Sequence, residues 1–548
     1  NIIKQILSKN ILISNPYQKS IRFSWRTVVC VTIFLLLVWA RFAYLEADFP
    51  IELGDPGMAY TDEGWWSRNA IAWVREGNWY IDDGYNPITF LPMLSIFQVM
   101  WFKLFGIGLA SARSITVVCS LLVSALVYLI AREEIRPQLA WIAPFIVLSN
   151  YPTFAYSRLA ILEMPMILLI VASLWLVSGL EKVSLDKFSL DKFRLERFAW
   201  AKLVGSGLLF AIAIFTKTTA LFALPVIALL LLLRSGISTS SIRTHFKTAI
   251  VWLFVVGLSA GVFHILLSQY GDIQSQAHFS DFNVGQKVPS GVSSAWKGPF
   301  RVIERSFGLF PLMFLGLLGA IALFLKQKAH HSSFLIRIII LWSGATLSAF
   351  SLSDFAAPRY FLVLIVPIAL VVPFTIQAAF TQRISQEERR TSSKSSPKSS
   401  LKAPLSFKNL TTASASLLLI FTVSTGYSLA RIGNYLSTPQ FTLRETAHTI
   451  ERYIDQDSLP SNIVMGHFAD TIALAAEQTK AINDKSGFRS LEYRIETFEP
   501  SYYLSIGAVE KEQQETLETY YQLDLLKTFD LYQNRDYGKP VFLYRLTR

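Results

Sequence analysis

The chain has 548 residues, of which 52% are apolar, 14% aromatic and only 16% charged, with a formal net charge of +12. A soluble domain usually carries about a quarter charged residues, so this composition excludes an ordinary soluble enzyme and points to a chain built for lipid. The basic excess forms no nucleic-acid face either, because Lys and Arg collect in short segments between apolar runs, where they orient membrane helices.

A spanning helix needs roughly 20 apolar residues, with shorter pieces tolerated inside a bundle. The first such run, Thr27–Leu45, is too long for a signal-peptide core and has no small-residue cleavage site after it, so it is expected to stay as an anchor. Further expected spans are Ser114–Ile130, Leu139–Phe154, Met164–Leu180, Ala201–Phe215, Ala220–Leu233, Thr248–Leu267, Phe307–Leu325, Phe334–Phe350, Phe361–Phe380 and Leu410–Ala430. Cys30 and Cys119 lie inside these runs and read as small hydrophobes, not as a disulfide or a metal pair.

A twelfth run, Ile88–Leu104, decides the topology. If it lies along the interface, the basic N-terminus, the Arg132/Arg136 turn and the Lys182–Lys202 segment share one side. The Arg234–Lys247 and Lys326–Arg337 loops and the Arg383–Lys408 linker join them. The positive-inside rule makes that side cytoplasmic. Counting Ile88–Leu104 as a span would instead put all of these but the N-terminus outside. The expectation is therefore about eleven crossings of the plasma (inner) membrane, with a cytoplasmic N-terminus and an extracytoplasmic C-terminal region.

Two junctions follow from length. Ala201–Leu233 would be roughly 50 Å as one helix, too long for a core of about 30 Å, so it should be a hairpin turning outside near Lys217. Leu139–Leu180 should likewise turn outside at Tyr156-Ser157-Arg158 and Glu163. Polar residues at short-helix tips line protein cavities, since lipid leaves their charges unsolvated. The tandem repeat SLDKF-SLDKF-RLERF, from Ser184 to Phe198, has a five-residue period that suits neither helix nor heptad, and reads as an interfacial linker. Residues 381–408, including the Ser/Lys-rich stretch from Thr391 to Lys402, read as flexible cytoplasmic linker.

After Ala430 the composition becomes that of a soluble domain. Strands are expected at Asn462–Gly466, Tyr502–Val509, Leu523–Tyr532 and Pro540–Leu546, with helices at Ala469–Gln478 and Glu510–Gln522. This is a small α/β domain without a glycine-rich phosphate loop or HExxH motif. The expected fold class is thus mainly α: a polytopic membrane bundle with a small extracytoplasmic α/β domain over 431–548.

The first outer loop, Ala47 to about Ala112, carries Tyr60-Thr61-Asp62-Glu63-Gly64-Trp65-Trp66, an amphipathic helical stretch to Arg75, and then Gly77-Asn78-Trp79-Tyr80. Its Trp and Tyr place it at the membrane surface. Asp62 suits a general base there with Glu63 assisting. The plainer alternative makes both of them first-turn acids of a helix with Thr61 as N-cap.

These elements are similar to the GT-C superfamily, and most closely to protein O-mannosyltransferases and the aminoarabinose transferases acting on lipid A. The resemblance rests on the Asp-Glu pair early in the first outer loop, the aromatic helix, Gly-Asn-Trp, and Asn86-Pro87 before an apolar helix ending Lys103-Leu104-Phe105-Gly106. It extends to Ser157-Arg158 with Glu163, to Thr216-Lys217-Thr218, and to Pro358-Arg359-Tyr360, covering roughly Arg26 to Phe380. The chain departs from it at Tyr85-Asn86-Pro87-Ile88, where many relatives carry His-Pro-Pro or Lys-Pro-Pro.

The resemblance implies transfer of a sugar from a polyprenyl-phosphate carrier to an acceptor hydroxyl at the outer face, with inversion. It makes Asp62 the base, Glu63 its neighbour and Glu163 a second acidic residue. Lys217, Arg359, Tyr360 and either Arg301 or Arg305 then bind the donor. Such chemistry needs cations where charge develops on the leaving phosphate, and a base near the hydroxyl. Plainer roles stand beside these: headgroup snorkelling for Lys217, a turn pairing of Arg359 with Asp354, headgroup binding for Arg301 and Arg305, and a helix-dipole role for Glu163. His278 and Asp281 make no convincing metal set without more ligands nearby, no cofactor is certain, and dependence on a divalent metal stays open. The acceptor class is open among protein, glycolipid and polysaccharide. The alternative function is a multi-pass transporter or lipid flippase, which would usually show internal repeats and ionisable residues in broken midplane helices.

Overall fold

The computed structural model describes residues 25–53, 56–84, 86–180, 190–233, 239–270, 292–326, 333–352, 357–391, 412–457, 459, 461–476, 479–484, 489–531 and 540–548. His278, Asp281, Asp354, the first SLDKF copy and most of the Ser/Lys-rich linker lie outside them.

The membrane part begins with α1 (Trp25–Phe42), α2 (Pro56–Glu76), α3 (Met93–Phe105), α4 (Leu109–Ala131), α5 (Ile142–Ser149), α6 (Tyr151–Tyr156) and α7 (Glu163–Ser178). It continues with α8 (Leu190–Thr216), α9 (Leu224–Leu232), α10 (Thr239–Tyr270), α11 (Val292–Leu309), α12 (Met313–Lys326), α13 (Phe334–Ser351), α14 (Ile365–Thr391) and α15 (Thr412–Ser437). Among the described residues, six helical stretches are long and apolar enough to cross a membrane, and six shorter apolar helices accompany them. The chain is a membrane-embedded multi-pass protein. Length alone does not turn this inventory into eleven spans, because the shorter helices depend on their packing.

Several local expectations change. The helix that carries Asp62 begins at Pro56, so Thr61 is no N-cap and Asp62 sits in its second turn. Proline at a first helical position suits its fixed φ and missing N–H. The last SLDKF and RLERF residues, from Leu190 on, are the opening turns of α8. An amphipathic start to a long apolar helix overrides the five-residue period there. Residues up to Thr391 likewise continue α14 where linker was expected. Phe307–Leu325 is not one helix, since α11 ends at Leu309 and α12 starts at Met313, with Leu312 in the left-handed region between them.

The two ends of the bundle are stitched differently. At one end, Glu134 accepts from the backbone N–H of Phe334 (2.6 Å) and from the Ser333 hydroxyl, capping α13. Gln377 exchanges hydrogen bonds with the Glu134 carbonyl and the Arg136 N–H (2.8 and 2.7 Å), and Arg337 donates to Leu233 O (2.6 Å). At the opposite end, Arg158 donates to the carbonyls of Ala40 (2.9 Å), Arg41 (3.1 Å) and Tyr44 (2.6 Å), taking up the acceptors orphaned where α1 stops.

The C-terminal region opens with α16 (Thr442–Gln456), an element absent from the sequence reading. Asp48, in the segment after α1, caps it, accepting from the N–H groups of Thr442 and Leu443 at 2.9 and 3.2 Å. Next come β1 (Ile463–Gly466), α17 (Ala469–Ala475), β2 (Lys480–Ile482), α18 (Leu491–Phe498), β3 (Tyr502–Ile506), α19 (Lys511–Tyr520), β4 (Gln522–Phe529) and β5 (Val541–Thr547). The sheet order is β2-β1-β3-β5-β4, with β2, β1 and β3 parallel and β5 antiparallel to β3 and β4. β2 and α18 were missed because a three-residue edge strand and a polar two-turn helix leave almost no periodic signal.

Burial in this domain pushes the Asp484 carboxyl up to about 6 from the usual 3.8, against the Tyr503 hydroxyl that donates to it at 2.7 Å. The folded chain therefore holds this proton more tightly than the unfolded one. Its contribution to stability is full below about pH 4, falls between about pH 4 and 6, and stays lost above, which is about 3 kcal/mol for such a shift. Asp484→Asn keeps an oxygen for Tyr503 and is expected to flatten this slope in the melting temperature of the purified chain. A variant with the parent's pH slope would refute the assignment.

Candidate active site

The polar cluster is built at the end of the bundle where α1 terminates. α6 stops at Tyr156, the chain turns through Ser157–Leu162, and α7 opens on Glu163, with Pro165 tolerated in its first turn. α8 ends at Thr216. Lys217 is extended (φ −159°, ψ 125°), and a 3-10 turn, Thr218–Ala223, leads into α9. The expected break in Ala201–Leu233 falls at Lys217. Arg359 and Tyr360 stand in a second 3-10 segment, Pro358–Leu364, which starts on a proline and runs into α14. Each short-helix tip thus delivers one ionisable side chain to the same place.

The charges meet in a continuous chain. Arg359 pairs with Asp62 (2.8 Å) and with Glu163 (2.8 Å), and Lys217 pairs with the same Glu163 oxygen at 2.5 Å. The Lys217 ammonium also lies over the Tyr360 ring at 4.4 Å, and the Arg359 guanidinium at 5.5 Å. Two carboxylates and two cations balance in a nearly dry setting. Glu163 is 1% exposed and Lys217 8%, while Asp62 keeps partial exposure. Removing one member of such a buried set leaves an uncompensated charge, which typically costs several kcal/mol.

Tyr156 lies within electrostatic reach of Arg359, Glu163 and also Arg305. Arg305 is exposed on α11, which packs beside the Pro358–Leu364 segment. Arg301, one turn earlier on α11, is half-buried and joins the site only through that shared helix. Asp62, Glu163, Lys217, Arg359 and Tyr360 are therefore brought together, and Arg305 borders them.

Glu63 stands apart from the cluster. Its carboxylate is gripped bidentately by Arg113 (2.8 and 2.6 Å) and accepts from the Ala160 N–H at 2.8 Å. Arg113 also donates to Leu45 O and Ala47 O, at 2.6 and 2.7 Å. The pair locks the helix of Asp62, the end of α1 and the turn before Glu163 into one unit. Sequence reasoning missed Arg113 by starting the span at Ser114. A lone arginine at the head of an apolar run was the available signal. Asn86 donates to Ile81 O (2.7 Å) and accepts from Asn69 (2.8 Å), so it pins the loop onto α2.

Among the described residues, no group of three or more His, Cys, Asp or Glu could hold a metal ion. Acidic residues are spent on cations here.

Residues 87–264 match the family model described as dolichyl-phosphate-mannose-protein mannosyltransferase. No curated protein matches the chain in sequence. Among solved structures, ArnT from Cupriavidus metallidurans bound to undecaprenyl phosphate superposes with a TM-score of 0.56 at 13% identity, over 94% of this chain and 98% of that one. Its apo form gives 0.55 at 12% identity, with the same coverage. The archaeal oligosaccharyltransferase AglB from Archaeoglobus fulgidus, in complex with an inhibitory peptide and a dolichol-phosphate, gives 0.51 at 13% identity over 92% of this chain and 73% of that one. The fold is the one these transferases share.

Proposed function

We propose that this chain, a multi-pass membrane protein with the GT-C fold and a mannosyltransferase-like segment over residues 87–264, is a glycosyltransferase using a polyprenyl-phosphate-linked sugar. The reaction is inverting transfer to an acceptor hydroxyl at the outer membrane face. One observation carries the reading: Asp62, Arg359, Glu163 and Lys217 form an unbroken chain of contacts, 2.5 to 2.8 Å each, at a single end of the bundle. The fold match favours this reading over the transporter or flippase alternative.

In this reading the acceptor oxygen attacks the anomeric carbon while Asp62 takes the hydroxyl proton. The carbon–oxygen bond to the phosphate breaks, and the polyprenyl phosphate leaves with the electron pair. Arg359 and Lys217 stabilise the charge that develops on it, and Tyr360 braces both cations. Arg359 also pairs with the base itself. An arriving phosphate offers the guanidinium a competing bidentate partner, so carrier binding would release Asp62 for proton transfer. Glu163 holds Lys217 and Arg359 in reach, Glu63 acts by positioning through Arg113, and Arg305 and Arg301 extend the basic rim toward the carrier.

Membrane orientation is read the same way. α3, which covers most of the Ile88–Leu104 run, is bonded along its length to the site end of the bundle. Ser95 donates to Trp66 O (3.3 Å), Gln98 to Ser67 (2.7 Å) and Trp101 to Ser114 (2.8 Å). Ile96, Phe97, Met100 and Leu104 stay exposed. That arrangement suits a helix lying in the interface, and it supports the outer placement of the site.

The test is carrier binding. The purified chain is expected to bind undecaprenyl phosphate, and Arg359→Gln to weaken that binding by about tenfold or more, the usual worth of a charge-assisted pair. A parent chain with no affinity for undecaprenyl phosphate, or a variant that binds as well as the parent, would count against the reading.

A further inference from the structure

α2 begins at Pro56, and the short 3-10 segment just before it, Ile51–Leu53, is held by two tyrosines of α6. Tyr151 donates its hydroxyl to Glu52 (2.7 Å), and Tyr156 donates to the Leu53 carbonyl. The Tyr156 ring also tilts against Phe49, with centroids 4.9 Å apart. A buried tyrosine needs a partner for its hydroxyl, and here both partners belong to the same three-residue segment. That segment is the foot of the helix of Asp62.

α6 is itself fixed at both ends. Asn150 caps it, accepting from the Thr153 N–H at 3.0 Å. The buried Arg41 guanidinium donates to Thr153 O (3.4 Å) and, one residue past the helix, to the Ser157 hydroxyl (2.6 Å). Arg158 ties the following residue to the end of α1, and from that anchored turn the chain runs into Glu163. α6 is therefore a bracket. Its last turn leads to Glu163, while its two hydroxyls hold the segment that leads to Asp62.

A third element separates the roles of the tyrosines. Glu52 is also paired with Arg431 of α15, whose guanidinium lies over the Tyr151 ring at 5.0 Å. Glu52 thus keeps a charged partner when Tyr151 is changed, so the grip of Tyr156 on Leu53 matters more.

We infer that Tyr156, with Tyr151 in support, is a positioning residue for the transfer, setting the helix of Asp62 at its working distance from Glu163 and Arg359. It acts through Asp62 and contacts neither carrier nor acceptor. The inference rests on the glycosyltransferase reading above. Its physical basis is the steep dependence of rate on alignment, since a shift of about 1 Å can cost on the order of a hundredfold.

The test uses the full-length protein, polyprenyl-phosphate sugars extracted from host membranes as donor, and a host envelope extract as acceptor. Tyr156→Phe keeps the ring on Phe49 and removes the hydroxyl, and water can reach the half-buried Leu53 in its place. It is expected to lower kcat about ten- to a hundredfold. Undecaprenyl phosphate affinity should stay within about twofold of the parent, because Lys217 and Arg359 are untouched. Tyr151→Phe should cost only about two- to fivefold in kcat, since Arg431 still holds Glu52. In the Asp62→Asn background, Tyr156→Phe should cost less than about twofold, because a residue that acts through the base has nothing left to align. Loss of packing alone would not give that non-additivity. The proposal is overturned by turnover of Tyr156→Phe within about twofold of the parent, or by losses that multiply in the double variant. A matching loss of carrier affinity would overturn it too, by making Tyr156 a ligand of the carrier. A parent chain that transfers no more sugar than Asp62→Asn would instead sink the glycosyltransferase reading and this inference with it.

Discussion

Asp62→Asn is expected to lower sugar transfer by about 10²- to 10⁴-fold, the range attached to losing a positioned general base. The substitution keeps size and one carbonyl oxygen, so Arg359 retains an acceptor at its 2.8 Å contact. Glu163, with Lys217 at 2.5 Å, still anchors the rest of the cluster. Because Asp62 is partly exposed and Arg359 keeps its pair with Glu163, melting temperature should fall less than on neutralising the fully buried Glu163, and membrane insertion should stay close to that of the parent. Undecaprenyl phosphate binding should persist, since the cations are intact and one competing carboxylate charge is gone. The loss should therefore appear in kcat, measured as sugar released from extracted donor and found on the acceptor fraction. Turnover within a few fold of the parent would remove Asp62 from the chemistry and leave it as a counter-ion of Arg359.

Arg113→Met is expected to give the largest loss of stability, about 3–5 kcal/mol, the usual cost of breaking a buried pair from one side. The substitution strands Glu63, which is fully buried, and removes the donor shared by Leu45 O and Ala47 O. The double variant Arg113→Met with Glu63→Gln should recover much of that loss. No buried charge then remains, and the glutamine oxygen can still accept from the Ala160 N–H, which Glu63 binds at 2.8 Å. A double-mutant cycle on unfolding of the purified chain separates this coupling from mere loss of packing. If Arg113→Met alone costs less than about 1 kcal/mol, the pair does not hold the site together and the positioning role of Glu63 fails. Activity should fall with stability here, because the pair links the helix of Asp62 to the turn that presents Glu163.

Most of the helical inventory was legible because hydropathy is a local property. The breaks at Lys217 and at Tyr156–Glu163 were legible too, since a run longer than the bilayer is thick must fold back, and its polar residues must sit at the turn. That reasoning marked Lys217 and Glu163, whereas the roles of Asp62 and Arg359 were implied by the resemblance to the GT-C superfamily. Boundaries suffered where two signals competed. Amphipathic helix prevailed over a pentapeptide repeat at the start of α8, and a left-handed Leu312 split one apolar run into α11 and α12.

Sequence alone thus determined that this is a membrane bundle with an α/β appendage, and which helix tips carry charge. Tertiary structure alone decided who pairs with whom. Asp62 and Glu163 converge on Arg359, Glu63 goes to Arg113, and Gly64 admits the C-terminal domain against the helix that carries Asp62. The physical reason is range. Hydropathy, helical period and turn chemistry act between neighbours in the chain, whereas an ion pair in a dry interior is chosen by the packing of elements far apart in sequence.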